Sequence, residues 1–443
     1  MYIKEGADDM FQTYEEAVGW IHSRLRFGIK PGLKRMEWLM NRLGNPHKKV
    51  KTVHVAGTNG KGSTIAYMRN VLTEAGYKTG TFTSPFLETF NERISMNGIP
   101  IPDAEMLFLA NTIKPLSDEL EQTELGGPTE FEIITAMAFY YFGNHEKTDV
   151  LLLETGLGGT LDSTNISEPV LTLITSIGYD HMHILGNTIE EIAGEKAGII
   201  KHGVPMLTAV TDERALNVIK RRATEKNADL FHDSFPVLKH EPLRGGERFD
   251  MKTPYHSFEG LEISMRGVHQ VQNAALAVMA LDYLRVHDLF AAGDEHIRKG
   301  LHQTNWSGRF EQVSEYPAII LDGAHNKEGA ESLAAVMRRH YAGKRIHVLF
   351  SALKDKEYSP MISILAGIAD SMHFTTFDFP RAACASELYE ACTHPVKSFH
   401  EDWKEAIDEM MAAGESGDIY LVTGSLYFIS EVRPYCRKIS HGN

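Results

Sequence analysis

The chain has 443 residues and a formal net charge of −14, and its content of 43% hydrophobic and 23% charged residues is that of a globular protein. The length predicts two or three domains, and the acidic balance argues against a broad nucleic-acid-binding surface. No apolar stretch approaches a membrane span, no cleavable signal is visible, and the odd number of three cysteines argues against disulfide bonds. We therefore predict a cytoplasmic protein with neither a membrane nor a nucleic acid as partner.

Two helices are predicted within residues 13–43, and the first buried strand follows at residues 50–56. This strand runs into a glycine-rich turn composed of Gly57, Thr58, Asn59, Gly60, Lys61, Gly62 and Ser63. The apolar residues after the turn recur at helical spacing, so the turn lies between a strand and a helix. Backbone amides, the positive end of the helix and the Lys61 ammonium favour phosphate binding, although Val55 stands where the usual P-loop pattern has its first glycine. An ordinary glycine-rich turn is the alternative.

The rest of the first half alternates between predicted strands and helices. Strands near residues 79–83, 149–153, 170–177 and 204–210 alternate with helices near 103–122, 131–143 and 189–200. Residues 230–266 are more irregular and β-like, and a strong helical pattern covers residues 270–284. The alternation predicts an α/β fold with a P-loop-containing, doubly wound and mostly parallel sheet.

A second alternation begins after a polar stretch at residues 303–309. It comprises strands near 318–322, 345–350, 371–377 and 418–423, helices near 327–340, 357–369 and 402–413, and a last helix. This pattern predicts a smaller, Rossmann-like C-terminal α/β domain. We therefore place the N-terminal domain at residues 1–304, a linker at 305–310 and the C-terminal domain at 311–443.

Ligands of open parallel sheets bind outside the carboxyl ends of the strands. In the first domain, this edge collects the P-loop, Ser84, Glu154 and His181. A bound polyphosphate needs Mg²⁺, which prefers oxygen ligands, so Glu154 at the end of an apolar strand is the best candidate for a metal-binding carboxylate. A helix cap is the alternative for Glu154, and a packed or capping histidine is the alternative for His181.

Three further charged residues stand out by their positions. Lys196 lies on a predicted helix, where a solvated lysine is the usual interpretation. Arg309 and Asp322 flank the predicted domain boundary, where they could contact a nucleotide across a cleft or form a plain interdomain salt bridge. The residues alone leave these alternatives open.

Nine short blocks occur along the chain in a definite order. They are residues 57–63, 83–85, 90–94, 154–165, 180–181, 195–198, 269–275, 308–311 and 321–326. Their order and content resemble those of the folylpolyglutamate synthases, which with their dihydrofolate synthase variants belong to the Mur-ligase superfamily. The resemblance extends from the P-loop to the last domain and covers most of the chain.

The resemblance implies ATP and Mg²⁺ as cofactors, with two metal sites. It implies that Lys61 contacts the transferred γ-phosphoryl group, that His181 is catalytic, and that Lys196 is carbamylated, which turns the lysine into a carboxylate for a second magnesium. The implied ATP-binding residues are Gly57, Thr58, Asn59, Gly60, Lys61, Gly62, Ser63, Asn273, Arg309, Asp322 and His325. The implied magnesium ligands are Ser84, Glu154 and His181.

A folate pocket is also implied by the resemblance, formed by Phe86, Arg93, Thr129, Phe131, Glu132, Leu161, Asp162 and Ser163. Aromatic faces and a guanidinium suit a flat pterin that carries glutamate carboxylates, whereas core packing is the alternative for each aromatic side chain. Many bifunctional relatives have a histidine after Ser-Pro, where this chain has Phe86, and polyglutamylating enzymes can resemble the phenylalanine form. This departure leaves the dihydrofolate synthase activity open.

We predict an ATP-dependent amide ligase that adds L-glutamate to the glutamate-tail carboxylate of a reduced folate through an acyl phosphate. Dihydropteroate is a further candidate substrate, and a monomer is expected. One alternative is another Mur-type ligase that acts on a peptidoglycan precursor, and the other is a P-loop ATPase that performs no ligation. Glutamate-dependent ADP release separates ligation from the last alternative.

Overall fold

A computed structural model describes residues 10–28, 30–415 and 417–441. The predicted α/β fold class is confirmed. The chain forms a large, mostly parallel sheet, a small antiparallel sheet and, near the C-terminus, a third sheet that is also mostly parallel. The first sheet contains β1 (Lys51–Ala56), β2 (Thr79–Phe82), β3 (Ile94–Met96), β4 (Ile99–Pro100), β5 (Val150–Glu154), β6 (Leu171–Ile174), β7 (Met206–Thr208) and β8 (Leu230–Phe231). Their order is β4-β3-β2-β5-β1-β6-β7-β8, and β3 and β4 are the antiparallel members.

Helices cover both faces of this sheet. They are α1 (Tyr14–Ser23), α2 (Lys34–Arg42), α3 (Lys61–Glu74), α4 (Asp103–Glu121), α5 (Glu130–Tyr140), α6 (Met182–Leu185), α7 (Ile189–Ala197), α8 (Glu213–Glu225), α9 (Val268–Val286) and α10 (Asp294–Gln303). Alternate residues of β5 point to opposite faces, so Leu152 packs with α3 and α9 while Leu151 and Leu153 pack with α1, α2, α4 and α5. Burial on both faces explains the uninterrupted apolar sequence of this strand.

The stretch predicted as irregular and β-like forms a separate three-stranded antiparallel sheet. Its strands are β9 (Val237–Leu243), β10 (Gly246–Lys252) and β11 (Ser257–Ile263), in the order β11-β10-β9. One face packs on α9 through Phe249, Met251 and Phe258. The regular pattern was obscured because the sheet contains register shifts that break strict alternation.

The third sheet begins at Glu311. It contains β12 (Glu311–Glu315), β13 (Ala318–Asp322), β14 (Ile346–Phe350), β15 (Ser371–Phe374), β16 (Lys397–Phe399) and β17 (Ile419–Thr423), in the order β12-β13-β17-β14-β15-β16. The helices that cover it are α11 (Lys327–His340), α12 (Tyr358–Ala366), α13 (Ala385–Glu390), α14 (Trp403–Ala412) and α15 (Leu426–His441). All neighbouring strands are parallel except β12, which pairs antiparallel with β13.

Several short elements were missed at the sequence level. They are β3, β4, β12, β16, α6, α10 and α13, which have between two and ten residues. Strands of two to five residues are too short for a clear period, and α10 buries only Ile297, Gly300 and Leu301. The strands predicted at 170–177, 204–210 and 371–377 end earlier, because their last residues leave the sheet as loops.

The loop after β2 packs against the C-terminal α/β unit, which consists of the third sheet and helices α11–α15. Leu87 in this loop is buried in an apolar cluster of the third sheet that includes Leu321, Phe377 and Phe428. The neighbouring Glu88 forms an ion pair with Arg433 of α15. Among the residues that the structure describes, no helix is long and apolar enough to cross a bilayer.

Candidate active site

A cavity of about 1040 Å³ lies between the carboxyl ends of the first sheet and the C-terminal α/β unit. Most of the residues predicted for the site line this cavity. They are Gly57, Thr58, Asn59, Gly60, Lys61, Gly62, Ser63, Ser84, Arg93, Thr129, Phe131, Glu154, Leu161, Asp162, Ser163, His181, Lys196, Asn273, Arg309, Asp322 and His325. The cavity is therefore one continuous space from the P-loop to the predicted substrate pocket.

The P-loop follows β1 and leads directly into α3. Gly57 and Gly60 adopt φ values of +151° and +88°, which disfavour other residues. A Cβ at Gly57 would lie 2.0 Å from Thr175 Oγ1, and one at Gly60 would lie 2.3 Å from Asn273 Oδ1. These two glycines are required by both conformation and space, and the turn that they form, together with the start of α3, lines the cavity.

Glu154, the last residue of β5, is a buried carboxylate at the floor of the cleft. Its Oε2 accepts a hydrogen bond from the Ser84 amide at 3.2 Å, and the Lys61 Nζ lies 3.8 Å from Oε1. Burial raises the pKa of Glu154, and the Lys61 charge and the Ser84 amide only partly offset this effect. A bound cation would stabilise the ionised form, so the site fits a divalent metal.

The donor set around Glu154 suits magnesium rather than a metal enclosed by protein ligands. Within the described ranges, no group of three or more His, Cys, Asp or Glu side chains is arranged to hold a metal ion. Mg²⁺ is commonly bound by one or two carboxylates together with phosphate oxygens and water. Glu154 and the hydroxyl of Ser84, both on the cavity wall, can supply the protein part of such a site.

Lys196 of α7 is almost completely buried, contrary to the expectation of a solvated lysine. Its Nζ donates a hydrogen bond to the Gly57 carbonyl at 3.0 Å. Burial, followed by the nearby Lys61 charge, lowers the pKa of Lys196 to about 7, while Asp180 and Asp162 act in the opposite direction. A large fraction of the amine is therefore neutral near pH 7, and a neutral amine is the nucleophilic form.

His181 adopts a left-handed conformation, with φ of +51°, immediately before α6. Its Nε2 lies 3.8 Å from Asp180 Oδ1. Burial lowers the pKa of His181 to about 4, although the Asp180 charge opposes this shift. The imidazole is thus neutral at physiological pH and has a lone pair available for a metal or a proton.

Residues of the C-terminal unit form the opposite wall. Asp322 accepts hydrogen bonds from the amides of Phe310 and Ala324, at 2.8 and 2.9 Å, and burial raises its pKa while Arg309 lowers it. The guanidinium of Arg309 donates to the Gly323 carbonyl at 3.4 Å. Backbone groups are thus the hydrogen-bond partners of both side chains, an arrangement that differs from a plain salt bridge.

Two reciprocal amide hydrogen bonds join the P-loop to the C-terminal unit. The Asn59 and Asn326 side chains donate to each other at 3.2 and 3.1 Å. Asp180 is a second contact point, because it pairs with Lys356 and lies 3.5 Å from His325 Nε2. Burial by itself would raise the pKa of Asp180, but His325 and Lys356 outweigh this effect and hold the pKa well below its usual range.

At the other end of the cleft, Phe131 and Leu161 present apolar surface to the cavity. The Phe131 ring lies against Gly156, where a Cβ would be 2.4 Å from the ring, and Leu161 is 48% exposed. Arg93 lies near this surface, 3.3 Å from Glu130 and over the rings of Phe86 and Phe90. Apolar faces beside a guanidinium suit a flat ring system with carboxylates.

Two of the predicted pocket residues do not line the cavity. The Nε of Arg35 donates to both carboxylate oxygens of Glu132, at 2.9 and 3.0 Å. Glu132 also caps α5, because it accepts a hydrogen bond from the backbone amide of Thr129 at 2.8 Å. Phe86 packs against the core of the first unit, and its ring forms a cation–π contact with the Arg93 guanidinium. The structure thus gives Glu132 and Phe86 other partners, and their assignment to direct substrate contact stays a prediction. A Thr-x-x-Glu sequence before an apolar helix indicates a capping box, and this signal explains Glu132.

The structure also adds cavity residues that the sequence interpretation missed. They include Leu25, Lys30 and Pro31 between α1 and α2, and Lys356, Arg381, Ser425 and Tyr427 from the C-terminal unit. The latter four follow the carboxyl ends of β14, β15 and β17. The rule that was applied to the first sheet could have found them. The loop between α1 and α2 offers no comparable signal.

Two family models match the chain: the Mur ligase middle domain over residues 55–281 and the Mur ligase glutamate ligase domain over residues 308–426. Fold and cleft together therefore define a Mur ligase. A curated relative, the dihydrofolate synthase/folylpolyglutamate synthase of Bacillus subtilis (strain 168), is 54% identical over 427 residues, covering 96% of this chain and 99% of the relative. The chain belongs to the dihydrofolate synthase/folylpolyglutamate synthase family, as the ordered blocks predicted.

Solved structures agree with this assignment. The Mycobacterium tuberculosis folylpolyglutamate synthase complexed with ADP and AMPPCP has a TM-score of 0.89 at 27% identity, covering 96% of this chain and 99% of that chain. A structure described as an FPGS-AMPPCP-folate complex has a TM-score of 0.85 at 30% identity, covering 97% of this chain and 100% of that chain. The likeness thus extends over nearly the whole chain.

Proposed function

We propose that this protein is an ATP-dependent ligase that joins the α-amine of L-glutamate to the glutamate-tail carboxylate of a reduced folate. The observation that carries the proposal is the cavity itself, which is lined by a P-loop, by a buried carboxylate whose charge is only partly compensated, and by an apolar pocket with a guanidinium. The family membership supports this choice of substrates, since relatives bear the names of folate-ligating enzymes.

The reaction needs two displacements. The substrate carboxylate attacks the γ-phosphorus of ATP, ADP leaves, and an acyl phosphate forms. The glutamate amine then attacks the acyl carbon, a proton is lost from nitrogen, and phosphate departs to leave the amide. Lys61 and the amides at the start of α3 are suited to neutralise the transferred phosphoryl group. Closure of the cleft around the substrates would exclude water, which otherwise hydrolyses the acyl phosphate.

Within this proposal, Ser84, Glu154 and His181 would hold Mg²⁺, which would supply charge neutralisation and orientation at the phosphates. A second magnesium would use a carbamate on Lys196. The basis for this modification is a buried amine that is largely neutral near pH 7, so that it can add to CO₂ and become an anion. The group would then attract a metal at a point where the unmodified ammonium repels it.

The nucleotide and folate assignments follow the two ends of the cavity. Asn273, Arg309, Asp322 and His325 would contact the adenine, ribose or phosphates of ATP. The folate would be surrounded by Arg93, Thr129, Phe131, Leu161, Asp162 and Ser163. Dihydropteroate remains a further candidate substrate. We also propose a monomer in which residues 305–310 form the linker between the two domains, in a reducing, cytoplasmic setting that fits the three free cysteines.

The deciding experiment measures ADP release by the purified protein with ATP, Mg²⁺, glutamate and tetrahydrofolate, together with the mass of the folate product. We expect ADP release that requires both glutamate and folate, and a product lengthened by one or more glutamate residues. A second assay uses dihydropteroate in place of tetrahydrofolate. ADP release that ignores glutamate would favour a non-ligating ATPase, and release only with a muramoyl precursor would remove the folate assignment while keeping the ligase mechanism.

A further inference from the structure

Asp180 lies in the loop between β6 and α6, yet its carboxylate is held mainly by the other unit. Lys356, in the loop after β14, forms an ion pair with Oδ1 of Asp180. The side-chain amide of Asn326 donates to Oδ2 at 3.4 Å. His325 Nε2 lies 3.5 Å from the same Oδ2. The side chains of Asp180 and Lys356 are 9% and 12% exposed, so this pair is largely removed from water.

The same carboxylate also fixes the backbone of the next residue. Asp180 Oδ1 accepts the amide of His181 at 2.8 Å, and His181 adopts its left-handed conformation there. One residue earlier, the Tyr179 amide donates to Glu328 Oε1 of α11 at 3.2 Å. Tyr179 and Asp180 are therefore bonded directly to the C-terminal unit, and His181 is linked to it indirectly, through the carboxylate of Asp180.

A largely buried ion pair between two units gives little net stability, because desolvation of both charges offsets their attraction. Such a pair fixes geometry more than it stabilises the fold, since it is satisfied only when the two units are in this arrangement. Its position next to His181 makes that geometry relevant to catalysis.

We propose that Lys356 is a positioning residue for the ligation reaction: through Asp180 it holds His181 in place, so that the site becomes complete only when the C-terminal unit is seated on the cleft. The inference rests on the proposed function and on the assignment of His181 to the magnesium site. Lys356 itself need not touch the substrates. The competing role is direct contact with a carboxylate of the incoming glutamate, because Lys356 also lines the cavity.

The two roles make different kinetic predictions. A positioning residue affects turnover and the requirement for Mg²⁺, whereas a direct contact to glutamate affects chiefly the KM for glutamate. The test compares Lys356→Met, Lys356→Arg, Asp180→Asn and the double variant Asp180→Asn/Lys356→Met. The matched control is Lys354→Met, which removes the same charge from an exposed lysine two residues away in the same loop.

ADP release is measured while Mg²⁺, ATP and glutamate are titrated in turn, and thermal melting is recorded for every variant. We expect Lys356→Met to lower kcat by about tenfold or more and to raise the half-saturating Mg²⁺ concentration, with the KM for glutamate changed less than about threefold. Lys356→Arg should recover most of the activity. The double variant should be no worse than Asp180→Asn alone, because both changes break one linkage.

Three results would overturn the proposal. They are a raised KM for glutamate with normal kcat, losses that multiply in the double variant, and a Lys356→Met enzyme that differs from Lys354→Met only in melting temperature. Normal magnesium dependence of His181→Ala would also overturn it, since no metal ligand would then be positioned. Failure of the proposed function is distinguishable, because the unaltered protein would then show no folate- and glutamate-dependent ADP release.

Discussion

At the phosphate end of the cleft, around the P-loop, the charges of Glu154 and Lys196 are buried with only partial compensation, whereas at the pocket end Glu132 and Arg93 each have an oppositely charged partner. The pKa of Glu154 is raised and that of Lys196 is lowered, mainly by burial in both cases. At the pocket end, Glu132 pairs with Arg35 at 2.9 Å, and Arg93 lies 3.3 Å from Glu130. Buried charges that are only partly compensated are typical of a ligand-binding site, whereas buried charges with a close ionic partner are typical of residues that fix the fold.

The largest expected effect is that of Glu154→Gln at the phosphate end. Loss of the carboxylate removes a metal ligand worth several kcal/mol in the transition state, so kcat should fall by about 10³-fold or more. The melting temperature should not fall, because burial already disfavours the ionised Glu154. Steady-state ADP release and thermal melting check both parts, and near-normal turnover at low Mg²⁺ would remove Glu154 from the site.

Lys196→Met should reduce turnover by about 10²-fold or more, with partial recovery on addition of a small carboxylic acid. Its effect on stability should depend on pH. With CO₂ excluded, the native amine loses its proton near pH 7 while the unfolded amine keeps it up to about pH 10.5, so the free energy of unfolding of the unaltered protein should rise relative to the variant between these values. Urea unfolding at several pH values measures this difference. A flat difference across that window would contradict the assignment of a neutral buried amine.

At the pocket end, Glu132→Ala should act on stability rather than on chemistry. Leaving Arg35 buried without its partner should cost about 3–5 kcal/mol in the free energy of unfolding, and loss of the α5 cap adds to it. The double variant Arg35→Met/Glu132→Leu should recover much of this loss. At a temperature where Glu132→Ala is folded, kcat should remain within about threefold of the unaltered protein. A large loss of kcat without a loss of stability would return Glu132 to the substrate site.

Phe86→Leu should have the smallest effect of the four. The ring supports Arg93 through a cation–π contact worth about 0.5–1 kcal/mol, so the KM for folate should rise by about two- to fivefold. Substrate titration with tetrahydrofolate measures the change, and Phe90→Leu provides a comparison with the other ring under the same guanidinium. A hundredfold increase would mean that Phe86 itself contacts the substrate.

The sequence predicted the phosphate end well because its signals are local. A strand, two glycines in special conformations and a lysine occur within a dozen residues, and Glu154 directly ends an apolar strand. The burial of Lys196 could not be predicted in this way, since it depends on the packing of α7 against the P-loop. Family resemblance, rather than periodicity, singled out that lysine.

The pocket end was predicted less well because its charges are compensated across long sequence separations. Arg35 and Glu132 are 97 positions apart, and no local pattern pairs them. The capping box at Thr129 was readable, but its glutamate was interpreted as a substrate contact. The contacts of Lys356 and Asp180, separated by 176 positions, depend likewise on how two independently patterned units meet.

Leu87 has a consequence for how such enzymes can be recombined. The residue belongs to the first unit by sequence, but its side chain fills space in the core of the third sheet beside Leu321 and Phe428. A chimera in which everything after the linker comes from a homologue would combine Leu87 with a C-terminal core that is packed around a different side chain at that position. Cavities or overpacking there cost about 1–5 kcal/mol, so the short loop after β2 and the C-terminal unit should be inherited together. The natural crossover unit is therefore discontinuous in sequence.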